Sequence, residues 1–282
     1  MSPYSRCFRP LSDEIAKAGR PLPTRRGSAA WLRGLALVGG LFLCGGASDR
    51  SWAAVEAETT QEKASRLHQQ AQPDMFRQWS FDRDQVHAPP SGFRAYDRGG
   101  APASSWEVKP DTAALSGASV VAVGAQCEGA CLHMLVVDAL RYEYPDLSVR
   151  VRVPDGGGRR VAGLVFGWQD AQNFYVALAD LEAAVVELSK VVGGQETLMG
   201  RAPVAVKTSS PWHVLRAARN TIISRDFIEV SFDGRQAVSV QDQSLGTGLV
   251  GLAARGVGEL QFDNFHAAPL FSQRPLSSPG AY

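Results

Sequence analysis

An Asp-Gly pair between two alternating runs most strongly constrains how this chain folds. Asp233-Gly234 joins residues 228–232 to residues 236–240, and apolar and polar side chains alternate in both runs. A type I′ hairpin turn needs positive φ at both central positions, and Asp-Gly supplies it. Residues 249–256, followed by residues 261–265, carry a second such pattern and predict a closing β-hairpin.

The same alternation continues through most of the chain. Turn-forming residues such as Val192-Gly193-Gly194 separate short runs, and no helical pattern of convincing length occurs among them. Residues 179–188 are ambiguous, but the β-branched pair Val185-Val186 favours a strand. Many short, evenly spaced strands predict an all-β fold, an antiparallel β-sandwich. We expect strands at residues 104–108, 119–124, 132–137, 147–153, 161–168, 174–180, 184–191, 196–205, 213–218, 227–232, 236–240, 248–254 and 259–265.

The first 54 residues have the features of an export signal. Arg25 and Arg26 precede an apolar run over residues 34–44, and a small-x-small cleavage pattern follows at residues 51–53. The run is too short and too rich in glycine for a transmembrane helix. We therefore expect an exported protein, periplasmic or extracellular, with no transmembrane span in its mature form. The expected organisation is a leader with export signal (1–54), a polar spacer (55–78), the β-sandwich (79–267) and a flexible tail (268–282).

Three alternatives to an ordinary cleaved signal remain open. Residues 24–27 begin like a twin-arginine signal, although Ser28-Ala29 replaces the bulky apolar pair expected there. Cys44 ends a stretch that resembles a lipoprotein box, but Leu43 stands where a small residue belongs. An uncleaved anchor is the third alternative.

Charge and cysteine content limit the partners. The chain has 29 Lys and Arg against 28 Asp and Glu, and it lacks a basic stripe interleaved with aromatic residues, so we expect no nucleic-acid partner. Of four cysteines, Cys127 and Cys131 lie beyond the leader. Export permits disulfides, so we predict a bond between them that closes a small loop. A metal site of Cys127, Cys131 and His133 is the alternative, but three ligands without a fourth make a poor zinc site.

Several segments together resemble a known superfamily. The ordered series is residues 161–166, Gln169-Asp170, residues 173–176, residues 188–194, residues 212–216, residues 232–235, residues 248–252 and residues 262–265. This order resembles the concanavalin A-like lectin and glucanase superfamily, in particular bacterial laminin G-like and 3-keto-disaccharide hydrolase-type domains. The resemblance covers residues 79–267 and implies a jelly-roll sandwich. It also implies carbohydrate chemistry and makes calcium a candidate ion, with Asp82, Asp170, Asp233, Asp242 and Asp263 as candidate ligands.

Catalytic residues are not evident. Retaining glycosidases of this fold place two carboxylates on one face of a strand, about 5–5.5 Å apart. Glu182 and Glu187 are five residues apart and would face opposite sides of a regular strand. A lyase or hydrolase acting on 3-keto-glycosides needs one base. His213 beside Trp212 is the available histidine, and it is better explained as a structural residue.

A carbohydrate site needs an aromatic surface and hydrogen-bonding side chains. The best combination in this sequence is Trp168, Gln169, Asn173, Tyr175, Lys190 and Arg216. We therefore expect a non-catalytic module that binds a carbohydrate or another cell-envelope ligand, with no cofactor evident. The alternatives are the 3-keto-glycoside hydrolase or lyase and a structural protein-interaction domain.

Overall fold

The computed structural model describes residues 73–270, without residues 128, 130, 155, 157 and 208 and the side chain of Cys127. The predicted leader, most of the spacer and most of the tail lie outside these residues, so the domain boundaries stay predictions. The elements are a short 3₁₀ helix (Pro73–Met75) and strands β1 (Arg77–Trp79), β2 (Phe93–Arg98), β3 (Trp106–Pro110), β4 (Ser119–Cys127), β5 (Leu132–Val137), β6 (Pro145–Arg152), β7 (Arg160–Asp170), β8 (Asn173–Asp180), β9 (Val185–Val192), β10 (Gln195–Pro203), β11 (Trp212–Ile222), β12 (Arg225–Phe232), β13 (Arg235–Gln241) and β14 (Leu249–Pro269).

The strands form two stacked antiparallel sheets. Sheet I has the order β10-β9-β8-β7-β14-β5-β2, and sheet II has the order β13-β12-β11-β6-β14-β4-β3. Strand β1 pairs with the end of β14. The all-β antiparallel sandwich predicted from the sequence is therefore confirmed.

Strand β14 belongs to both sheets, and it corrects the prediction of a closing hairpin. Residues 251–254 pair with β7 and β5, and residues 261–262 pair with β6 and β4. Gly256 and Gly258, which suggested a turn, have φ of 104° and 117°. They lie where the continuous strand passes from one sheet to the other, so the glycines redirect the strand and do not reverse it.

The main core lies between the sheets and is built by strand alternation. Leu164, Phe166 and Tyr175 of sheet I face Leu215 and Phe262 of sheet II, and all are buried. The Asp233-Gly234 turn has φ of 48° and 78°, as a type I′ turn requires. Within the described residues, no helix is long and apolar enough to span a membrane.

Candidate functional site

Sheet I is so strongly curved that its two edge strands meet over its outer face. Seven strands laid flat would place β2 and β10 about 29 Å apart, at about 4.8 Å a strand. Instead, an Arg98 guanidinium nitrogen on β2 lies 2.6 Å from the carbonyl oxygen of Gly194, in the turn before β10. We call this outer surface the concave face.

The middle of the concave face is filled with apolar side chains. Leu132, Met134, Val165, Phe174 and Val176 belong to a second buried cluster, distinct from the core between the sheets. Trp168 on β7 contacts Tyr96 on β2, with ring centroids 4.6 Å apart, although two strands lie between them. The Arg98 guanidinium lies 5.9 Å from the centroid of the Phe174 ring. The curvature therefore creates an aromatic interior on the face that a flat sheet would expose.

A charged bridge spans this interior. Glu196 on β10 accepts hydrogen bonds at 3.1 and 3.2 Å from Arg255 on β14 and at 3.5 Å from Arg98 on β2. The exposed fractions of these side chains are 22% for Glu196 and 16% for each arginine. Arg255 also donates to the carbonyl oxygen of Cys131 at 3.0 Å. We call these three residues the Arg–Glu–Arg bridge.

The first cleft opens on one side of the bridge and has a volume of about 520 Å³. Val161 and Leu178 form its apolar floor, and Gly129 and Gly256 line its wall. Its charged groups are Arg159, Asp180, Glu187 and Arg255. An apolar floor with a few converging polar groups is typical of small-ligand sites.

Two charged groups of the first cleft, Asp180 and Arg159, differ in how exposed they are. Asp180 accepts hydrogen bonds from Arg159 at 2.6 Å and from two backbone N–H groups of the β8–β9 turn. The hydrogen bond to Asp180 raises the pKa of Arg159, so the guanidinium stays charged. The Arg159 side chain is nevertheless 65% exposed, which leaves it free to meet a ligand.

The second cleft lies on the other side of the bridge, where three turns meet, and has a volume of about 470 Å³. Arg98, Gln172 and Gln195 provide its polar side chains. The turns are tied together because Gly194 donates to the Gln172 carbonyl at 3.0 Å and Gly193 donates to Asn173 Oδ1 at 3.0 Å. The two clefts are therefore separated by the Arg–Glu–Arg bridge.

The structure does not bring together the six residues predicted to bind a ligand. Trp168 is 6% exposed and lies in the aromatic interior of the concave face, whereas Tyr175 is fully buried in the core between the sheets. The exposed stacking surface that the prediction requires is absent at both positions. An irregularity in β7 between Phe166 and Asp170, with Gly167 at φ 57°, turns Trp168 to the face opposite Tyr175.

The other four predicted residues lie in three places. Lys190 is the cross-strand partner of Tyr175 and donates to Asp242 and Ser244. Arg216 lies on sheet II, where it makes two hydrogen bonds to Asp146 at 2.7 and 2.9 Å. Gln169 is exposed and Asn173 is half-buried beside the second cleft, so a ligand role stays a prediction for these two.

The candidate calcium ligands are dispersed, and each already accepts hydrogen bonds. Asp82 accepts hydrogen bonds from the Ala118 and Ser119 N–H groups, and Asp263 accepts one from the Leu115 N–H group at 2.8 Å. Asp233 is hydrogen-bonded to His213 at 2.9 Å. Asp170 caps the β7–β8 turn and Asp242 pairs with Lys190. Across residues 73–270, no group of three or more His, Cys, Asp or Glu side chains could hold a metal ion.

Cys131 and His133 are explained by structure rather than by metal binding. Cys131 takes part in a disulfide, and its predicted pairing with Cys127 stays a prediction because the side chain of Cys127 is not described. His133 is buried, and its Nδ1 lies 2.6 Å from Asp97. Its Nε2 accepts the Gln126 N–H group at 3.4 Å, so Nδ1 carries the proton toward Asp97.

Sequence reasoning missed the residues of both clefts and of the bridge. Asp180 and Glu187 share a face of adjacent strands, which the strand pattern and the short turn between them could have indicated. Arg98, Glu196 and Arg255 come from three distant strands, and no local pattern relates them. Their meeting depends on the curvature of the whole sheet.

Of the comparisons with known proteins, only the comparison with solved structures found matches. The chain matches no family model and no curated protein. It is similar to the carbohydrate-binding module CBM66 from Bacillus subtilis, with 16% identity, a TM-score of 0.49, and 66% of this chain and 99% of that chain covered. It is also similar to the Emp47p carbohydrate recognition domain (8% identity, TM-score 0.48, 71% and 100% covered) and to a Bacillus licheniformis β-glucanase (11% identity, TM-score 0.47, 71% and 100% covered).

Proposed function

We propose that this protein is an exported module that binds a saccharide at the first cleft of the concave face. The observation that carries the proposal is the combination in that cleft of an apolar floor, Val161 and Leu178, with charged walls. Sugar rings present an apolar face and a rim of hydroxyls, and charged side chains hydrogen-bond hydroxyls strongly. Arg159 and Glu187 are the partly exposed groups that would make those bonds.

A saccharide-binding assay with matched arginine variants tests the proposal. The purified chain is screened against a mixed glycan library, and Arg159→Ala is expected to weaken the best binder about tenfold because a charge-assisted hydrogen bond is lost. Arg235→Ala is the control, since Arg235 is exposed at the β12–β13 turn of sheet II. Equal loss in both variants, or no glycan retained by the unaltered protein, would exclude this site.

The same library also addresses the two alternative functions. If it contains 3-keto-disaccharides, mass spectrometry of the unbound fraction reports any cleavage. New products would support the hydrolase or lyase, with Asp180 and Glu187 as the carboxylates nearest the floor of the cleft. Neither retention nor cleavage would favour the structural protein-interaction domain. Calcium dependence is tested by repeating the assay with a chelator.

A further inference from the structure

We propose that the Arg–Glu–Arg bridge is a carboxylate-binding site closed by the protein's own Glu196, and that it opens for a saccharide that bears a carboxylate, a uronate. The inference rests on the proposed function, which it narrows to acidic sugars. It also predicts that the aromatic interior beneath the bridge becomes part of the binding surface when Glu196 leaves.

The chemistry of the bridge favours an anionic ligand. Two guanidiniums converge on one carboxylate, and Arg255 reaches both of its oxygens, at 3.1 and 3.2 Å. Arg255 makes both contacts through one nitrogen, Nη2, and such charge-assisted hydrogen bonds are a common way for arginines to bind carboxylates. The two arginines carry two positive charges and Glu196 carries one negative charge, so the bridge has a net charge of +1. A ligand carboxylate that takes the place of Glu196 keeps both arginines paired.

Glu196 is the member of the bridge that is free to move. Arg255 lies on the central strand β14 and is held by the Cys131 carbonyl, and Arg98 lies over the Phe174 ring. Glu196, in contrast, lies on edge strand β10, two residues after the Gly193-Gly194 turn. The Gly193-Gly194 turn itself is held by hydrogen bonds with Arg98, Gln172 and Asn173. The Glu196 side chain, 22% exposed at the edge of the sheet, can therefore turn out of the bridge while the turn and the central strands stay in place.

The surface beneath the bridge suits a sugar ring. The Phe174 ring lies under the Arg98 guanidinium and shares a buried cluster with Trp168, against which Tyr96 packs, and aromatic rings stack against the apolar faces of sugars. The Trp168 indole nitrogen is buried and has no hydrogen-bond partner among the described residues. A buried donor without a partner is costly, and a ligand hydroxyl would satisfy it. The clefts on either side of the bridge give a saccharide access to this surface.

Closure by Glu196 lowers the measured affinity in a predictable way. If only a fraction of molecules has the bridge open, the apparent dissociation constant is the intrinsic one divided by that fraction. Weakening the contacts of Glu196 raises the open fraction. An acidic saccharide should therefore bind more tightly to a variant that lacks the Glu196 charge, whereas most substitutions in a binding site weaken binding.

Calorimetry with a matched pair of ligands tests the proposal on the full chain. The pair is trigalacturonate and the neutral trisaccharide made from it by reducing its carboxyl groups, with an equivalent glucuronate pair to cover another stereochemistry. We expect the acidic member to bind about tenfold more tightly, and Glu196→Gln to raise its affinity about threefold or more. The control is Glu229→Gln, a like change of charge at an exposed site on sheet II, which should alter neither ligand's affinity.

A second variant protects the test against a folding defect in Glu196→Gln. Arg98→Lys keeps the charge but loses the planar fork, so it should reduce the ratio of the affinity for the acidic member to the affinity for the neutral member. Thermal unfolding of each variant confirms that it is folded. Equal affinity for both members of each pair, or no gain in affinity for the acidic member in Glu196→Gln, would overturn the inference. In either case, binding of the neutral trisaccharide would still support the proposed function. Binding of no saccharide at all would overturn both.

Discussion

At the scale of single residues, Asp242 is a charged group that joins three neighbouring residues. It accepts hydrogen bonds from the Tyr175 hydroxyl at 2.6 Å, from Lys190 at 2.5 Å and from the Ser244 N–H group at 2.8 Å. Burial alone would raise the pKa of Asp242, but the bonds from Lys190 and Tyr175 outweigh burial and lower the pKa to about 2. Asp242 therefore fixes the loop after β13 to the edge of the core.

We predict that Asp242→Asn destabilises the protein by about 2 kcal/mol at pH 7, the free energy that corresponds to a pKa lowered from 3.8 to about 2. Because the pKa is depressed in the folded state, the stabilisation is fully present above pH 3.8 and is lost as the pH falls toward 2. Urea unfolding at pH 7 and at pH 2.5 measures this. The gap between the two proteins should shrink at the lower pH.

The exposed pair of Arg94 and Asp138 provides the control for this experiment. Arg94 Nη2 and Asp138 Oδ2 are 3.0 Å apart, but the side chains are 62% and 48% exposed, respectively. Asp138→Asn should therefore lower the free energy of unfolding by only about 0.5 kcal/mol or less. A penalty for Asp242→Asn that is no larger than the control's, or that stays constant with pH, would contradict the assignment.

Single residues also show how far the sequence predicts the site. The alternation of apolar side chains correctly indicates that Trp168 and Tyr175 lie in neighbouring strands, but not which face each occupies. One irregularity at Gly167 reverses the face of Trp168. Local patterns do not reveal such a shift, because a one-residue change of register moves a side chain to the opposite face. The prediction of Asp233 as a turn former depends on local geometry and is confirmed, and His213, predicted to be a structural residue, is hydrogen-bonded to Asp233.

At the scale of elements, the passage of β14 between the sheets depends on Gly256. Its φ is 104°, and a Cβ atom there would lie 1.9 Å from the Arg159 carbonyl oxygen. We predict that Gly256→Ala destabilises the protein by about 3 kcal/mol or more, since both backbone strain and a steric clash oppose it. Chemical denaturation followed by circular dichroism provides the measurement.

Gly193→Ala separates the two causes. Gly193 also has positive φ, 56°, but nothing lies within 4 Å of the added carbon. Its substitution should cost only about 1–2 kcal/mol, the strain of the left-handed conformation. If both variants lost the same stability, the close approach of β14 to Arg159 would not matter.

The strands themselves are largely predictable, because each depends on neighbouring residues. The pattern of period two locates β3 to β13 to within a few residues, including the break between β8 and β9. It misses β1 and β2 and divides β14 into two strands. Gly256 and Gly258 look like a turn from sequence, and only the pairing of β14 with five other strands shows that the chain continues.

At the scale of the whole molecule, the shared strand predicts that the two sheets unfold together. Removing β14 would leave neither sheet with its centre, so we expect one cooperative transition. The fluorescence of Trp168 reports the unfolding of sheet I, and that of Trp212 reports the unfolding of sheet II. The variants Trp168→Phe and Trp212→Phe show which part of the signal comes from each residue. Coincident urea midpoints for both signals are expected. Two separated midpoints would show that each sheet is stable without the other.

The position of β14 at the end of the described chain also governs when folding can take place. During synthesis, β4, β5, β6 and β7 leave the ribosome before β14, so each of them lacks one of its two neighbours until the chain has emerged as far as Pro269. Contacts between residues far apart in sequence form slowly, and this topology makes nearly every central pairing wait for the last segment. A nascent chain of this protein should therefore remain unfolded for most of its synthesis, a state in which it can still be threaded through a narrow pore.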